Sequence, residues 1–138
     1  MWTFYSATGQ RLQTSATVLA TQAEMETGTA LTSFVTPGRT QYHPGVAKFW
    51  ALVDQTDQSI TASYNVDSIA DGGVGNTDFT IGTDFSSANW SCVASSNYGD
   101  NYVTSFAAGT IRCGSRTEGA SPANVDVATL AVAGFGDQ

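Results

Sequence analysis

The chain has 138 residues, enough for one compact core but too few for two ordinary domains. Only 12% of the residues are Asp, Glu, Lys or Arg, about half the usual share of roughly 25%, so we expect a polar but weakly charged surface. The formal net charge of -7 and the five scattered Lys and Arg residues argue against nucleic-acid binding, which needs clustered basic side chains. The sequence lacks an apolar run long enough for a membrane helix and a signal-peptide pattern. We therefore expect a soluble product without membrane insertion.

The N-terminal part is predicted to form a short β-hairpin followed by one short helix. Residues 2–5 are an aromatic run, and residues 11–13 return as a second strand after a turn-like segment. An isolated hairpin is marginal in water, so its aromatic side chains need a partner subunit to cover them. Thr21 and Glu24 have the spacing of a capping box and Gly28 supplies a stop, which predicts a helix of one or two turns. A turn in a loop is the alternative.

The segment that follows is predicted to be a linker. A brief strand at residues 31–35 leads to Pro37 and Gly38, which predict a type II turn with a positive φ at the glycine. Pro44 and Gly45 follow within a few residues, and this many chain-breaking residues argue against regular structure. The first predicted region, residues 1–45, therefore contains an intertwined hairpin, a short helix and a linker.

The second predicted region, residues 46–138, has the hydrophobic patterns of β-strands. Residues 46–53 are almost continuously apolar, which predicts a central strand covered on both faces. Residues 60–66 alternate between apolar and polar side chains, which predicts one face toward the core and one toward water. Further strands are predicted at residues 79–81, 90–94, 103–106, 111–113 and 125–135. Such spacing predicts an all-β fold, an antiparallel β-sandwich or jelly-roll-like domain.

Little in the sequence indicates catalysis. His43 is the only histidine and lies in the linker-like segment, so a nucleophile-and-base arrangement has no other imidazole to use. The aspartate pairs that invite comparison with glycoside hydrolases flank predicted turns, where Asp is common. We expect no catalytic residue, no metal ion and no cofactor, and hence a protein that is not an enzyme. Cys92 and Cys113 are either two buried free thiols or one disulfide.

One polar loop has the composition of a contact surface. Residues 95–102 place two tyrosines among small amide and hydroxyl side chains, a composition that suits adaptable contacts. Aromatic faces with amide donors suit a cell-surface glycan, and arginines of a later strand would add contacts to a carboxylate or phosphate. The alternative is an ordinary polar loop whose tyrosines pack on the sheet. The candidate receptor-binding residues are Asn97, Tyr98, Asn101, Tyr102, Arg112 and Arg116.

The succession of several segments resembles the distal, C-terminal region of bacteriophage tail fibres. Residues 21–29, Thr-Gln-Ala-Glu-Met-Glu-Thr-Gly-Thr, look like a segment found before the terminal domains of these fibres. Residues 47–50, Ala-Lys-Phe-Trp, are similar to the Ala-Lys-Ala-Trp strand that opens a β domain there. Residues 62–71 resemble the Ser-x-Asn-Val-Ser-Ser-Ile-Thr-Asp stretch of the same domain. The resemblance covers residues 21–94 and fades beyond residue 97.

The resemblance implies a homotrimer with intertwined N-terminal strands and C-terminal β domains that form a knob at the fibre tip. It implies a structural virion protein, made in the cytoplasm of the host bacterium, that contacts other phage tail or virion proteins. It also implies attachment to a glycan or protein of the bacterial cell surface, with avidity from three weak contacts on one rigid trimer. Two alternatives stay open. One is another virion appendage, such as a head fibre, decoration or adaptor protein without receptor binding, and the other is a carbohydrate-binding module.

Overall fold

A computed structural model describes residues 18–138, and the chain divides into two compact units, Met1–His43 and Pro44–Gln138. The predicted N-terminal hairpin lies outside the described residues. The helices and strands are α1 (Gln22–Thr27), α2 (Pro37–Thr40), β1 (Phe49–Asp54), β2 (Ser59–Tyr64), β3 (Val66–Asp71), β4 (Asn76–Ile81), β5 (Ser91–Ser96), β6 (Asp100–Phe106), β7 (Thr110–Arg116) and β8 (Leu130–Phe135).

Helix α1 begins at the capping box that the sequence predicts. Thr21 Oγ1 accepts a 3.2 Å hydrogen bond from the Glu24 N–H, and the Thr21 N–H donates a 2.8 Å hydrogen bond to Glu24 Oε2. These bonds hold the pKa of Glu24 below its usual value. Gly28 ends the helix at a φ of 64°, a conformation that glycine adopts at little steric cost. The predicted short helix is therefore confirmed.

Two expectations for the rest of this unit are wrong. Residues 31–35 do not form a strand, since Phe34 makes only an isolated parallel bridge with Leu19. Pro37 begins a single helical turn, α2, in place of a type II turn, because proline has a helical φ and needs no hydrogen bond at the first helical position. The Thr36 carbonyl accepts hydrogen bonds of 2.9 and 3.1 Å from the last two residues of that turn. Within residues 18–138, no helix is long and apolar enough to span a bilayer.

The second unit is an antiparallel β-sandwich, which confirms the predicted fold class. The first sheet has the strand order β2-β1-β8-β5 and the second sheet has the order β3-β4-β7-β6. Side chains from the two inner faces form one hydrophobic core between the sheets. The buried core residues are Phe49, Ala51, Val53, Phe79, Ile81, Phe85, Ile111, Cys113, Val127, Leu130 and Val132.

The first sheet buries fewer side chains than the sequence predicts. Strand β1 is an interior strand, as expected, but only its inner face is covered: Phe49, Ala51 and Val53 are buried, whereas Trp50 is 41% exposed. All six residues of β2 are exposed because the strand lies at the edge of the sheet. The outer face of the first sheet is therefore uncovered within the described part of the chain.

The alternating segment at residues 60–66 is divided between the two sheets at Asn65. Strand β2 ends one residue before Asn65, and β3 begins one residue after it in the second sheet. Asn65 has a φ of 54°, a left-handed conformation that asparagine tolerates better than most residues. Its Nδ2 donates a 2.9 Å hydrogen bond to the Lys48 carbonyl, and its Oδ1 accepts a 2.8 Å hydrogen bond from the Thr83 N–H. These contacts fix the turn that carries the chain from one sheet to the other.

An aromatic cluster fills one end of the core. The rings of Phe85 and Trp90 stack with centroids 4.4 Å apart, and Phe49 and Phe106 pack edge-on against Trp90. Trp90 Nε1 donates a 2.9 Å hydrogen bond to the Ala107 carbonyl, which satisfies the indole N–H. The cluster joins β1, β6 and the segments before β5, so it supports both sheets.

The two cysteines lie together in the core on opposite sheets. Cys92 belongs to β5 and Cys113 to β7, and the structure has both as free thiols, with Cys113 buried and Cys92 partly buried. The contact with Cys92 and burial raise the pKa of Cys113 far above its usual value. Cys113 is therefore a protonated core residue at neutral pH.

Candidate functional site

The two sheets differ in the charge of their strands. The four strands of the second sheet contain four aspartates and two arginines, whereas the four strands of the first sheet contain one charged residue, Asp54. We call the outer surface of β3, β4, β7 and β6 the polar face. It is the surface of the sandwich on which acidic, basic and hydroxyl side chains come together.

An ion pair between neighbouring strands lies on the polar face. Asp78 in β4 and Arg112 in β7 are direct cross-strand partners, so their side chains leave the sheet on the same side. Arg112 Nε and Nη2 each donate a 2.6 Å hydrogen bond, one to each carboxylate oxygen of Asp78. The hydrogen bonds from Arg112 hold the pKa of Asp78 below its usual value, and the same contact raises the pKa of Arg112. The pair is thus charged at neutral pH and planar, with the Arg112 and Asp78 side chains 40% and 39% exposed.

Tyr102 is fixed beside this ion pair by contacts around its whole ring. Tyr102 and Gly114 are cross-strand partners in β6 and β7, and a methyl group at Gly114 would overlap the ring. The Tyr102 hydroxyl lies 3.0 Å from Asn76 Oδ1 and 2.9 Å from Asn124 Oδ1, and can donate its hydrogen to either oxygen. Arg116 Cζ lies 5.6 Å from the ring centroid, within the range of a cation–π interaction. The ring therefore has one orientation, between the two arginines of β7.

A groove of about 540 Å³ opens on the polar face next to the ion pair. Its walls carry a carboxylate, a guanidinium and four hydroxyl groups, and the lining residues are Asp78, Phe79, Thr80, Thr104, Ser105, Thr110, Ile111 and Arg112. Strand β6 contributes through a β-bulge between Val103 and Ser105, where Thr104 is the extra residue. Hydrogen-bond donors and acceptors thus converge on one shallow site, as in pockets that orient a polar ligand.

The structure brings together three of the six predicted receptor-binding residues. Tyr102, Arg112 and Arg116 share the polar face, although they come from two different strands and not from one loop. Asn101 points to the opposite side of the sheet, where its Oδ1 accepts a 3.3 Å hydrogen bond from Ser115 Oγ. Its direction follows from its place next to Tyr102 in the same strand, since successive side chains alternate between faces.

The other two predicted residues lie in the turn between β5 and β6. The Asn97 N–H donates to the Thr129 carbonyl at 3.1 Å, and Asn97 Oδ1 accepts from the Thr129 N–H at 3.2 Å. Gly99 has a φ of 73° and lies so close to the Arg116 backbone that a side chain there would overlap it. Asn97 thus anchors the turn, whereas Tyr98 is 58% exposed and open to a ligand.

The predicted set omits Asp78, Asn76 and Thr80, three polar residues of β4 that the structure places on the polar face. Their signal in the sequence is alternation, because each is separated from the next by one buried side chain. The alternation does not give the strand register. Only the fold shows that Asp78 lies opposite Arg112, 34 residues later in the chain.

Among the described residues, no three His, Cys, Asp or Glu side chains lie close enough to hold a metal ion. Asp71, the last residue of β3 before the glycine-rich turn, accepts a 2.7 Å hydrogen bond from the Gly73 N–H, as aspartates beside turns commonly do. Comparison of the chain with family models, with curated proteins and with solved structures gives no match.

Proposed function

We propose that this protein is the distal domain of a bacteriophage tail fibre, a structural virion protein that binds a glycan of the bacterial cell surface as a homotrimer. The resemblance of residues 21–94 to tail fibres supports the virion setting and the association with other tail proteins. The polar face supports the receptor-binding part of the proposal.

The observation that carries receptor binding is the groove beside the Asp78–Arg112 pair. A sugar presents several hydroxyl groups, each of which both donates and accepts hydrogen bonds. The groove matches this pattern, since the carboxylate accepts, the guanidinium donates and the hydroxyls of Thr80 and Thr110 do either. The two hydrogen bonds within the ion pair already fix both charged groups, so a ligand does not have to order them. The ring of Tyr102 nearby is only partly exposed, and its free edge offers a small apolar surface to a sugar.

A shallow groove on a sheet buries little of its ligand, so each site is expected to bind weakly. A homotrimer compensates for weak single sites, because the second and third contacts form at a high effective concentration once the first has formed. Attachment of this kind needs no catalytic residue, metal ion or cofactor.

Glycan-array binding with site variants tests the receptor-binding part. The array carries bacterial lipopolysaccharides, capsular polysaccharides and cell-wall glycans. We expect the protein to bind at least one class, and Arg112→Ala to weaken that binding by about tenfold or more, because it removes a charged donor and leaves Asp78 unpaired. Arg39→Ala removes the same charge from the first unit and should bind like the wild type. If the wild type binds no glycan, or if Arg112→Ala binds equally well, the polar face is not a glycan site and a virion protein without receptor binding becomes the better assignment.

One observation favours the carbohydrate-binding module as a second candidate. Trp50 and Tyr64 are cross-strand partners on the outer face of the first sheet, where they are 41% and 51% exposed. Two neighbouring aromatic side chains on a flat sheet can stack against a polysaccharide chain. On this alternative, Trp50→Ala abolishes glycan binding and the protein is a monomer.

A further inference from the structure

The outer face of the first sheet is apolar across all four strands. One row of cross-strand partners consists of Tyr64, Trp50, Ala133 and Val93, and the next row consists of Ala62, Leu52, Ala131 and Ser95. We call the surface formed by these two rows the apolar face. Its large side chains are well exposed, with Trp50, Tyr64 and Val93 at 41%, 51% and 57%. An exposed patch of this kind, surrounded by a polar surface, marks an interaction site.

The apolar face also contains a shallow groove. The small side chains of Ala131 and Ala133 form the floor of a groove of about 330 Å³, with Trp50 and Leu52 on one side and Val93 on the other. The groove is therefore lined almost entirely by apolar side chains. The shape fits apolar side chains projecting from another surface.

The distribution of charge indicates that the surface packed on the apolar face belongs to a second copy of this chain. The chain has a formal net charge of -7, so copies of it repel one another over most of their surface. Asp54 is the one charged residue in the strands of the apolar face, and it lies at the end of β1, where its Oδ1 accepts a 2.8 Å hydrogen bond from the Thr56 N–H. Two copies that meet at the two rows of the apolar face bring no charged side chain into the centre of the contact, and Asp54 lies at its margin.

The neighbouring edge strand lacks the features that prevent pairing. Strand β2, Ser59–Tyr64, contains no lysine, no proline and no charged side chain, and all its residues are exposed. Natural sandwiches usually protect an open edge with one of these features. A strand spacing of ~4.8 Å and a rise of ~3.4 Å per residue give four strands of five residues a flat area of about 320 Å². A stable interface buries about 800 Å² on each partner, so the apolar face would be its centre and the β2 edge would extend it.

From these observations we infer that a second copy of this chain covers the apolar face, with Trp50, Tyr64 and Val93 at the centre of the subunit interface. The inference rests on the proposed function in one respect, the trimeric number of copies. It does not depend on what the polar face binds.

The native mass of matched variants of the full chain, measured by light scattering after size-exclusion chromatography, tests this inference. The wild type should have three times the mass of the chain. Val93→Arg should have the mass of a single chain, because the interface would have to bury an unpaired charge. Thr80→Arg, at an exposed strand position on the polar face, should keep the wild-type mass. Circular dichroism identifies a variant that fails to fold, and Ser95→Arg on the same apolar face then replaces Val93→Arg.

Each other result overturns the inference. If Val93→Arg and Ser95→Arg keep the wild-type mass, the apolar face is not the interface, although the trimer of the proposed function stands. If Thr80→Arg dissociates as well, the effect is not specific to the apolar face. If the wild type is a monomer, the inference and the trimer both fail, and Trp50 and Tyr64 remain for the carbohydrate-binding module.

Discussion

The two outer faces of the sandwich share an architecture and differ in chemistry. Each is the outer side of a four-stranded antiparallel sheet that covers the same core. The polar face carries the Asp78–Arg112 pair, whereas the corresponding centre of the apolar face carries Trp50 and Leu52. A sandwich that meets water on both sides needs polar side chains on both outer faces. We infer from this difference that the second sheet alone faces solvent in the assembled protein.

The largest loss of stability is expected from a core residue that supports both sheets. Phe49 is fully buried and packs against Phe85 and Trp90. Phe49→Ala should reduce the free energy of unfolding by about 3–5 kcal/mol, because it leaves a cavity in the core, and both faces should be lost together. Trp50→Ala, one residue away on the apolar face, should cost much less when both are measured by urea unfolding in a chain made monomeric by Val93→Arg. Equal losses would contradict the exposure of Trp50 within one chain.

A smaller effect is expected from a methyl group on the polar face. Gly114→Ala should displace the Tyr102 ring, destabilise the protein by about 1–3 kcal/mol and weaken glycan binding, because the added atom has no room beneath the ring. Gly38→Ala is the control, since the space around Gly38 is open and the change should stay within about 0.5 kcal/mol. Urea unfolding measures both variants. A Gly114→Ala protein as stable as the wild type would show that Tyr102 is not held where the structure places it.

The ion pair of the polar face should make a weaker, pH-dependent contribution. Because the folded-state pKa of Asp78 is lowered, the stabilisation is present above the usual value of 3.8 and disappears as the pH falls through the lower folded-state pKa. Asp78→Asn should therefore be less stable than the wild type at neutral pH and equal to it in strong acid. The difference is small, since both side chains are about 40% exposed and water screens the pair. Denaturant midpoints at several pH values measure it, and an Asp78→Asn difference that persists in strong acid would contradict this cause.

The smallest effect on stability is expected from Tyr98. Tyr98→Ala should change the free energy of unfolding by less than about 0.5 kcal/mol, because the side chain is 58% exposed in the turn between β5 and β6. It should weaken glycan binding by a smaller factor than Arg112→Ala, since Tyr98 does not line the groove. A larger loss of binding in Tyr98→Ala would move the receptor site from the polar face to the turn.

The sequence predicts local features of this fold better than features that depend on a partner surface. The capping box at Thr21 and the strands predicted at residues 103–106 and 111–113 depend on neighbouring residues, and the structure contains them as the start of α1 and as parts of β6 and β7. The apolar run at residues 46–53 predicts cover on both faces of β1, because hydrophobicity alone does not tell whether Trp50 packs within the chain or against another chain. The division of residues 60–66 at Asn65 depends on one left-handed residue that interrupts no hydrophobic pattern.

The candidate site was predictable only in part, because composition is a local property of the sequence whereas strand register is not. The sequence singles out Tyr102, Arg112 and Arg116 as contact residues by composition, and the structure places them on one face. Asn97 and Tyr98 have the same composition but lie in a separate turn, since composition does not give direction. Asp78 is omitted because its role depends on the register of β4 against β7, which is a long-range property of the sheet.

The most direct test of the two-face account is glycan-array binding by Val93→Arg, with Arg112→Ala measured beside it. The account predicts that Val93→Arg recognises the same glycans as the wild type with an apparent affinity ~10²-fold weaker or more, because avidity is lost while each site is intact. Arg112→Ala, by contrast, should lose recognition itself. If Val93→Arg binds no glycan and Arg112→Ala binds like the wild type, the apolar face is the glycan site and the roles assigned to the two faces are wrong.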